Sequence, residues 1–141
     1  MADRLFQAGA VPYRLTPQAI EVLLISTSSG KHLTIPKGII DPGFSATETA
    51  LNEAYEEAGI KGDLMLPPIG GYQFKKWGGI WTVTVYAMAV TRMLNRWPED
   101  RVRRRVWIEI RRAARLVKHD GLADVILKLP DRLKQAASRA E

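Results

Sequence analysis

The sequence predicts an α/β domain of the mixed (α+β) kind, one mixed sheet lying between helices. Three observations predict it. Apolar runs rich in β-branched and aromatic residues recur at 7–15, 20–27, 63–76, 78–91 and 105–110, with Pro and Gly between them. One capped helical segment interrupts these runs, and further helical stretches follow the last of them. The order is therefore strands, a helix, more strands, then helices, which is not the strict strand–helix alternation of a doubly wound fold.

"QAGAVPYRL" (7–15) and "IEVLLIST" (20–27) read as neighbouring strands joined by a turn at Pro17. "HLTIPKG" (32–38) is a short strand running into a loop through Asp41, Pro42 and Gly43. Ser45 followed by Glu48 is a capping box that starts a helix, and Gly59 supplies its stop. Ala50, Ala54 and Ala58, broadened by Leu51, form a stripe of small residues suited to close packing on a sheet, with Ile60 turning back into the core. Residues 63–76 read as two strands broken at Pro67 and Pro68. "GGIWTVTVYAMAVT" (78–91) has apolar residues on both faces, as a central strand covered on both sides should. "RVWIEI" (105–110) is the last strand, 111–117 and 121–141 are helical, and Pro130 kinks or divides the final stretch.

The length of 141 residues and the absence of repeats, low-complexity segments and linkers predict one domain spanning 1–141. With no Cys, disulfides, thiolate metal sites and cysteine nucleophiles are excluded. The opening stretch carries Asp3, Arg4 and Arg14 without a long apolar run, and no later segment is long enough to span a bilayer. The expectation is a soluble, cytoplasmic chain with no membrane partner. Its net charge of +6 and pI near 9.8 favour anionic partners without choosing among them.

Against that positive balance, Glu53, Glu56 and Glu57 stand at i, i+3 and i+4 on one helix face, with no Lys or Arg between Gly38 and Ile60. Like charges so placed destabilise a helix by about 0.2–0.5 kcal/mol per pair. A solvated charged face ordinarily mixes signs. A divalent cation would reverse the penalty, since hard cations such as Mg²⁺ take one or two carboxylates together with waters and phosphate oxygens.

The frame around these acids is more specific than the acids alone. Gly38, Glu53, Glu56, Glu57, Gly59 and Ile60 stand at the spacing of the Nudix box. "EVLLIST", "TIPKG", "AYEEAGIKGDL" and "WPED" followed by "VW" extend the likeness from about Ala8 to about Leu129. The chain resembles the Nudix hydrolase superfamily, in the branch with diphosphoinositol polyphosphate and diadenosine polyphosphate hydrolases. Phe44 stands where the box has its first Glu, and Asn52 where it has Arg. In the family that Arg pairs with the glutamates, so Asn52 implies a more electronegative cluster, raised carboxylate pKa values and looser geometry.

The resemblance implies an αβα sandwich and a hydrolase that cuts a phosphoanhydride bond in a nucleoside polyphosphate, a dinucleoside polyphosphate or an inositol pyrophosphate. It implies Mg²⁺, with Mn²⁺ as substitute, held directly by Glu53 and Glu57, by Glu56 on the same or a second ion, and by the Gly38 carbonyl. Glu56 or Glu57 would accept the proton of the attacking water, and Glu57 is preferred. A further acid from a later loop would be Glu99 or Asp100, although a surface role is expected of both.

Lys37, beside this site, is a candidate phosphate contact, weighed against a solvent-facing loop lysine. Arg14, Lys75 and Lys76 are expected on the surface. The run "RVRRR" (101–105) is expected to be a solvated loop, with recruitment of an anionic substrate or RNA phosphates as its lesser alternative. It has no interleaved aromatics for single-strand stacking, which argues against a nucleic-acid partner. Trp77 and Tyr72 are the base-stacking candidates, the other tryptophans being assigned to the core, and His32 and His119 are expected to be surface or hydrogen-bonded residues. The alternative function, motivated by Phe44 and Asn52, is a non-catalytic Nudix-fold module that binds a nucleotide or an RNA end. Monomer and homodimer are both left open.

Overall fold

The computed structural model describes residues 4–140. Asp3 of the opening stretch and Glu141 of the final helical stretch lie outside the described residues. The elements run β1 (Arg4–Leu15), β2 (Ile20–Ser26), β3 (Leu33–Thr34), β4 (Lys37–Ile39), α1 (Ala46–Ala58), β5 (Ile60–Leu64), β6 (Gly70–Lys76), β7 (Gly79–Met93), β8 (Arg105–Glu109), α2 (Ile110–Leu116), α3 (Asp120–Ile126) and α4 (Leu129–Ala140).

The strands form one mixed sheet in the order β3-β2-β1-β7-β5, with β4 joined to β1, β6 to β7 and β8 to β2. β1 and β7 run parallel in the middle, and the other pairings are antiparallel. Alternation along β1 splits the core between the two faces. Ala8 and Ala10 face α1, together with Ala50, Ala54 and Ala58. Val11 faces the larger cluster, which takes in Ile110, Leu122, Val125, Ile126 and Leu129 from α2, α3 and α4. The three α1 alanines are fully buried, so the small-residue stripe does allow a close approach to the sheet. Leu51 does not broaden that stripe; it is exposed on the outer side of α1.

Residues 32–38 form two short strands because the segment changes partner. Leu33 and Thr34 pair with β2, whereas Lys37–Ile39 pair with β1. Ile35 and Pro36 lie between, and proline has no N–H to carry a ladder onward. The last helical stretch is divided rather than kinked, with Pro130 in the first turn of α4, where its missing N–H is tolerated. No helix among the described residues is long and apolar enough to cross a membrane.

Both ends of α1 form as their residues require. Ser45 accepts the Glu48 N–H at 3.1 Å, and Glu48 accepts the Ser45 N–H at 3.0 Å. At the other end Gly59 adopts φ 64°, ψ 39°, the left-handed stop that returns the chain straight into β5. A Cβ there would lie 2.6 Å from the Trp97 ring. Gly59→Ala therefore combines backbone strain with a steric clash, and we expect it to lower unfolding free energy by more than about 1 kcal/mol in urea denaturation.

Candidate active site

The acid cluster sits where α1, β4 and the segment before β8 meet. In the antiparallel β1–β4 ladder the Ala10 N–H donates to Pro36 O and the Ile40 N–H to Phe6 O. Bonded pairs alternate with non-bonded ones, which places Gly38 in a bonded pair with Ala8 and Lys37 in a non-bonded pair with Gly9. The Lys37 N–H is thereby free to turn away from β1, and it donates to Glu57 Oε1 at 3.0 Å.

The other Glu57 oxygen, Oε2, accepts from Arg103 Nη2 at 3.1 Å. Arg103 also gives Nη1 to the Ser26 carbonyl at 3.0 Å and Nε to Glu99 Oε1 at 3.0 Å. Its side chain is only 12% exposed. This corrects the expectation of a solvated basic loop: Arg103 and Arg105 turn inward, and only their neighbours Arg101, Val102, Arg104 and Val106 face solvent. It also corrects the surface role expected of Glu99. Asp100, also expected at the surface, is partly buried and accepts from Arg96 and from the Trp97 N–H.

Arg105 donates to the carbonyls of Ala58, Gly59 and Leu94, and its guanidinium stacks 4.0 Å from the Trp97 ring. Trp97 Nε1 in turn donates to Glu57 O at 3.0 Å. α1 has no basic residue in its last turn, and Arg105 satisfies the open carbonyls there. Sequence reasoning missed both arginines. The available signals were the lack of any cation on α1 and the i, i+4 spacing of Glu99 and Arg103.

The three helix acids meet different surroundings. Glu57 is buried, Glu53 is half-buried, and Glu56 is exposed, outside the pair that the other two form. Burial pushes the Glu57 carboxyl up to about 7, overcoming the downward pull of the Lys37 N–H and the Arg103 guanidinium. Burial raises Glu53 as well, with Glu56 and Glu99 adding to it and the contact with Glu57 opposing it. The raised values expected from the missing box arginine are present, but desolvation is their first cause.

Two carboxylates so near each other favour sharing a proton or taking up a cation, because ionising both is costly. Glu53 lies so close over Gly38 that any Cβ at that position would collide with its carboxyl group, so only glycine leaves the acid room. Among the described residues no three acidic or histidine side chains close on one point. The candidate donors among the described residues are the carboxylates of Glu53 and Glu57, with the backbone of Gly38 packed against Glu53. That suits a cation that takes few protein ligands and fills its shell with water and phosphate oxygens, as Mg²⁺ does.

Next to the acids opens a cleft of about 470 Å³, and Glu57, Arg103 and Lys37 form its near wall. Phe74 and Trp81 stack at 6.0 Å and 6°, and His119 stacks on Phe74 at 4.8 Å. Phe74 and Trp81 are cross-strand partners in the β6–β7 hairpin, whose Trp77–Gly78 turn has positive φ at both positions. Lys37 Nζ lies 5.2 Å from the Phe74 ring centroid, and burial lowers its pKa first, with Lys76 and Arg103 adding to that. Gln7, 9% exposed, lines the floor with an Oε1 that has no hydrogen-bond partner.

Several expectations change at this cleft. Tyr72 is buried in the core and cannot offer a stacking face, whereas Trp77 is 84% exposed at the mouth. Trp81, assigned to the core, and Phe74 supply the stack instead, and their symmetric placement about the Trp77–Gly78 turn was a signal the sequence contained. His32, His119, Lys75 and Lys76 line the cleft, while Arg14 pairs with Glu21 and stacks on Trp107 outside it.

The model of the NUDIX domain matches residues 6–129. The chain belongs to the Nudix family. It is 33% identical over 139 residues to Nudix hydrolase 16, mitochondrial, of Arabidopsis thaliana, covering 86% of this chain and 77% of that protein. A shorter match, 46% identical over 57 residues, covers 40% of this chain and 38% of the asymmetrical bis(5'-nucleosyl)-tetraphosphatase of Sus scrofa. The fold superposes on a C. elegans Ap4A hydrolase binary complex with a TM-score of 0.76 at 23% identity, over 93% of this chain and 98% of that one. This Nudix chain is an αβα pyrophosphohydrolase of small phosphorylated substrates.

Two outcomes follow from the acid geometry. The folded Glu57 carboxyl keeps its proton to about pH 7, whereas an unfolded one releases it near 4.5. The folded chain thus binds more protons in that window, and Glu57's contribution to stability falls as pH rises through it. Metal-free wild type should lose melting temperature relative to Glu57→Gln between about pH 5 and pH 8 at constant ionic strength. Gly38→Ala should displace the Glu53 carboxyl yet keep the fold by circular dichroism, and lower initial hydrolysis rates about 100-fold.

Proposed function

We propose that this Nudix chain is a Mg²⁺-dependent hydrolase of nucleoside and dinucleoside polyphosphates. The carrying observation is the aromatic stack of Phe74, Trp81 and His119 in a cleft that Glu57 also lines. A flat π-face suits a nucleobase, with stacking worth about 1–3 kcal/mol per base. An inositol ring has no such face, so the stack favours nucleotides over inositol pyrophosphates. Gln7 Oε1 beside the stack offers an acceptor to the edge of a base.

Bound at Glu53, Glu57 and the Gly38 carbonyl, Mg²⁺ would neutralise phosphate oxygens and acidify a water. Lys37, between the acids and Phe74, is placed to hold the phosphate chain as it leaves the stack. Lys76 and Lys75 line the same cleft and draw polyanions toward it. Glu57 is the proton acceptor in this reading, because it is the one helix acid that lines the cleft where the substrate would lie. The bis(5'-nucleosyl)-tetraphosphatase and Ap4A hydrolase relatives support the dinucleoside branch of this reading.

The test is a panel of diadenosine tetraphosphate, ATP, ADP-ribose, a sugar nucleotide and an inositol pyrophosphate, each with Mg²⁺ and a Glu57→Gln control. We expect base-bearing polyphosphates to be consumed fastest. Phe74→Ala should raise their KM about tenfold or more and leave turnover of the inositol pyrophosphate unmoved. Binding without consumption of any member would favour a non-catalytic module, and a preference for the inositol compound would remove the stacking argument.

A further inference from the structure

We propose that Arg103 is the positioning residue of the active site: it fixes the Glu57 carboxylate from outside α1, a helix that carries no cation of its own. The proposal rests on the reading of Glu57 as the reacting carboxylate.

The bonding of Arg103 supports a fixed orientation rather than a mobile charge. Its guanidinium is planar and makes three contacts in one plane: Nε to Glu99, Nη1 to Ser26 O and Nη2 to Glu57. The Ser26 contact anchors it to the end of β2. The backbone around it is anchored to the same residue, because Arg104 N–H donates to Ser26 Oγ and Ser26 N–H donates to Arg104 O, each at 2.9 Å. With one edge of the plane fixed to the sheet and another to Glu99, the direction of the Nη2 donor is set. Glu57 therefore receives one donor from β4 and one from β2's neighbour segment, on different oxygens. A carboxylate held at both oxygens is restrained from rotating.

The same segment holds the backbone of that helical turn. Trp97 bonds Glu57 O, and Arg105 bonds the next two carbonyls. Asn52, on α1 itself, is exposed and makes no such contact with the acids. A buried ion pair is weak evidence of stabilisation, since well-packed apolar residues in its place are often neutral or better. A geometric role accounts for the burial of the Arg103–Glu57 pair, 12% and 11% exposed, at a site that needs charged oxygens in fixed places.

The experiment uses Arg103→Met, which keeps length and removes the fork, and Arg103→Lys, which keeps charge and loses two of the three donors' geometry. Two readouts are taken. In metal-free ¹⁵N-labelled protein, the Lys37 amide, whose acceptor is Glu57 Oε1, should exchange with solvent about tenfold faster in Arg103→Met while the Leu24 amide in the core is unchanged. With Mg²⁺ and diadenosine tetraphosphate, kcat should fall about 10- to 100-fold with KM nearly constant, and Arg103→Lys should fall between wild type and Arg103→Met.

A raised KM with kcat retained makes Arg103 a phosphate contact and overturns the proposal, as does an unchanged Lys37 amide. If Arg103→Met does not fold, Arg103→Lys decides alone, and wild-type kcat in that variant overturns it. If wild type consumes no substrate, the hydrolase reading fails separately, and the Lys37 amide still decides whether Arg103 holds Glu57.

Discussion

The buried Glu57 carboxylate is the constraint around which the site is built. Its charge is costly to desolvate, and the surroundings answer with two donors from distant segments, the Lys37 N–H on one oxygen and the Arg103 guanidinium on the other. These contacts tie α1 to β4, and the residue at 57 to one 46 positions along the chain. Even so, burial leaves the carboxyl with a pKa near neutrality. A stronger counter-charge would settle it in the ionised form, and the contact with Glu53 shows where such a charge would sit.

Lys37 couples the acids to the cleft. Its backbone N–H holds Glu57, and its side chain reaches over Phe74 in the cleft. One residue on a three-residue strand thereby touches both Glu57 and the Phe74 ring. The partner switch at Ile35–Pro36 explains why the strand is so short. Leaving β2 to join β1 is what brings Lys37 and Gly38 under α1.

The hairpin of β6 and β7 builds the opposite wall by an equally local rule. A two-residue turn at Trp77–Gly78 fixes the register, and the register places Phe74 across from Trp81. Phe74 and Trp81, which look like core material in a one-dimensional pattern, are only partly buried and line the cleft instead. Tyr72, two positions earlier on the same side, is covered, packing near Gly121 at the start of α3 and beside Val125 and Leu122 in one cluster. The boundary between core and cleft runs between Tyr72 and Phe74.

Local and periodic information in the sequence determined the elements, the capping box at Ser45, the stop at Gly59, the covered central strand and the shared face of Glu53, Glu56 and Glu57. Those features depend on a residue and its near neighbours along the chain, so a single sequence exposes them. Tertiary structure alone decided that Glu56 parts from the other two acids, that the partner cations come from 103 and 105, that the histidines and Lys76 face a cleft, and that Leu51 stays outside. Each depends on which segments meet across tens of residues, and burial, which sets both the charge state of Glu57 and the exposure of Phe74, exists only once the sheet has closed against its helices.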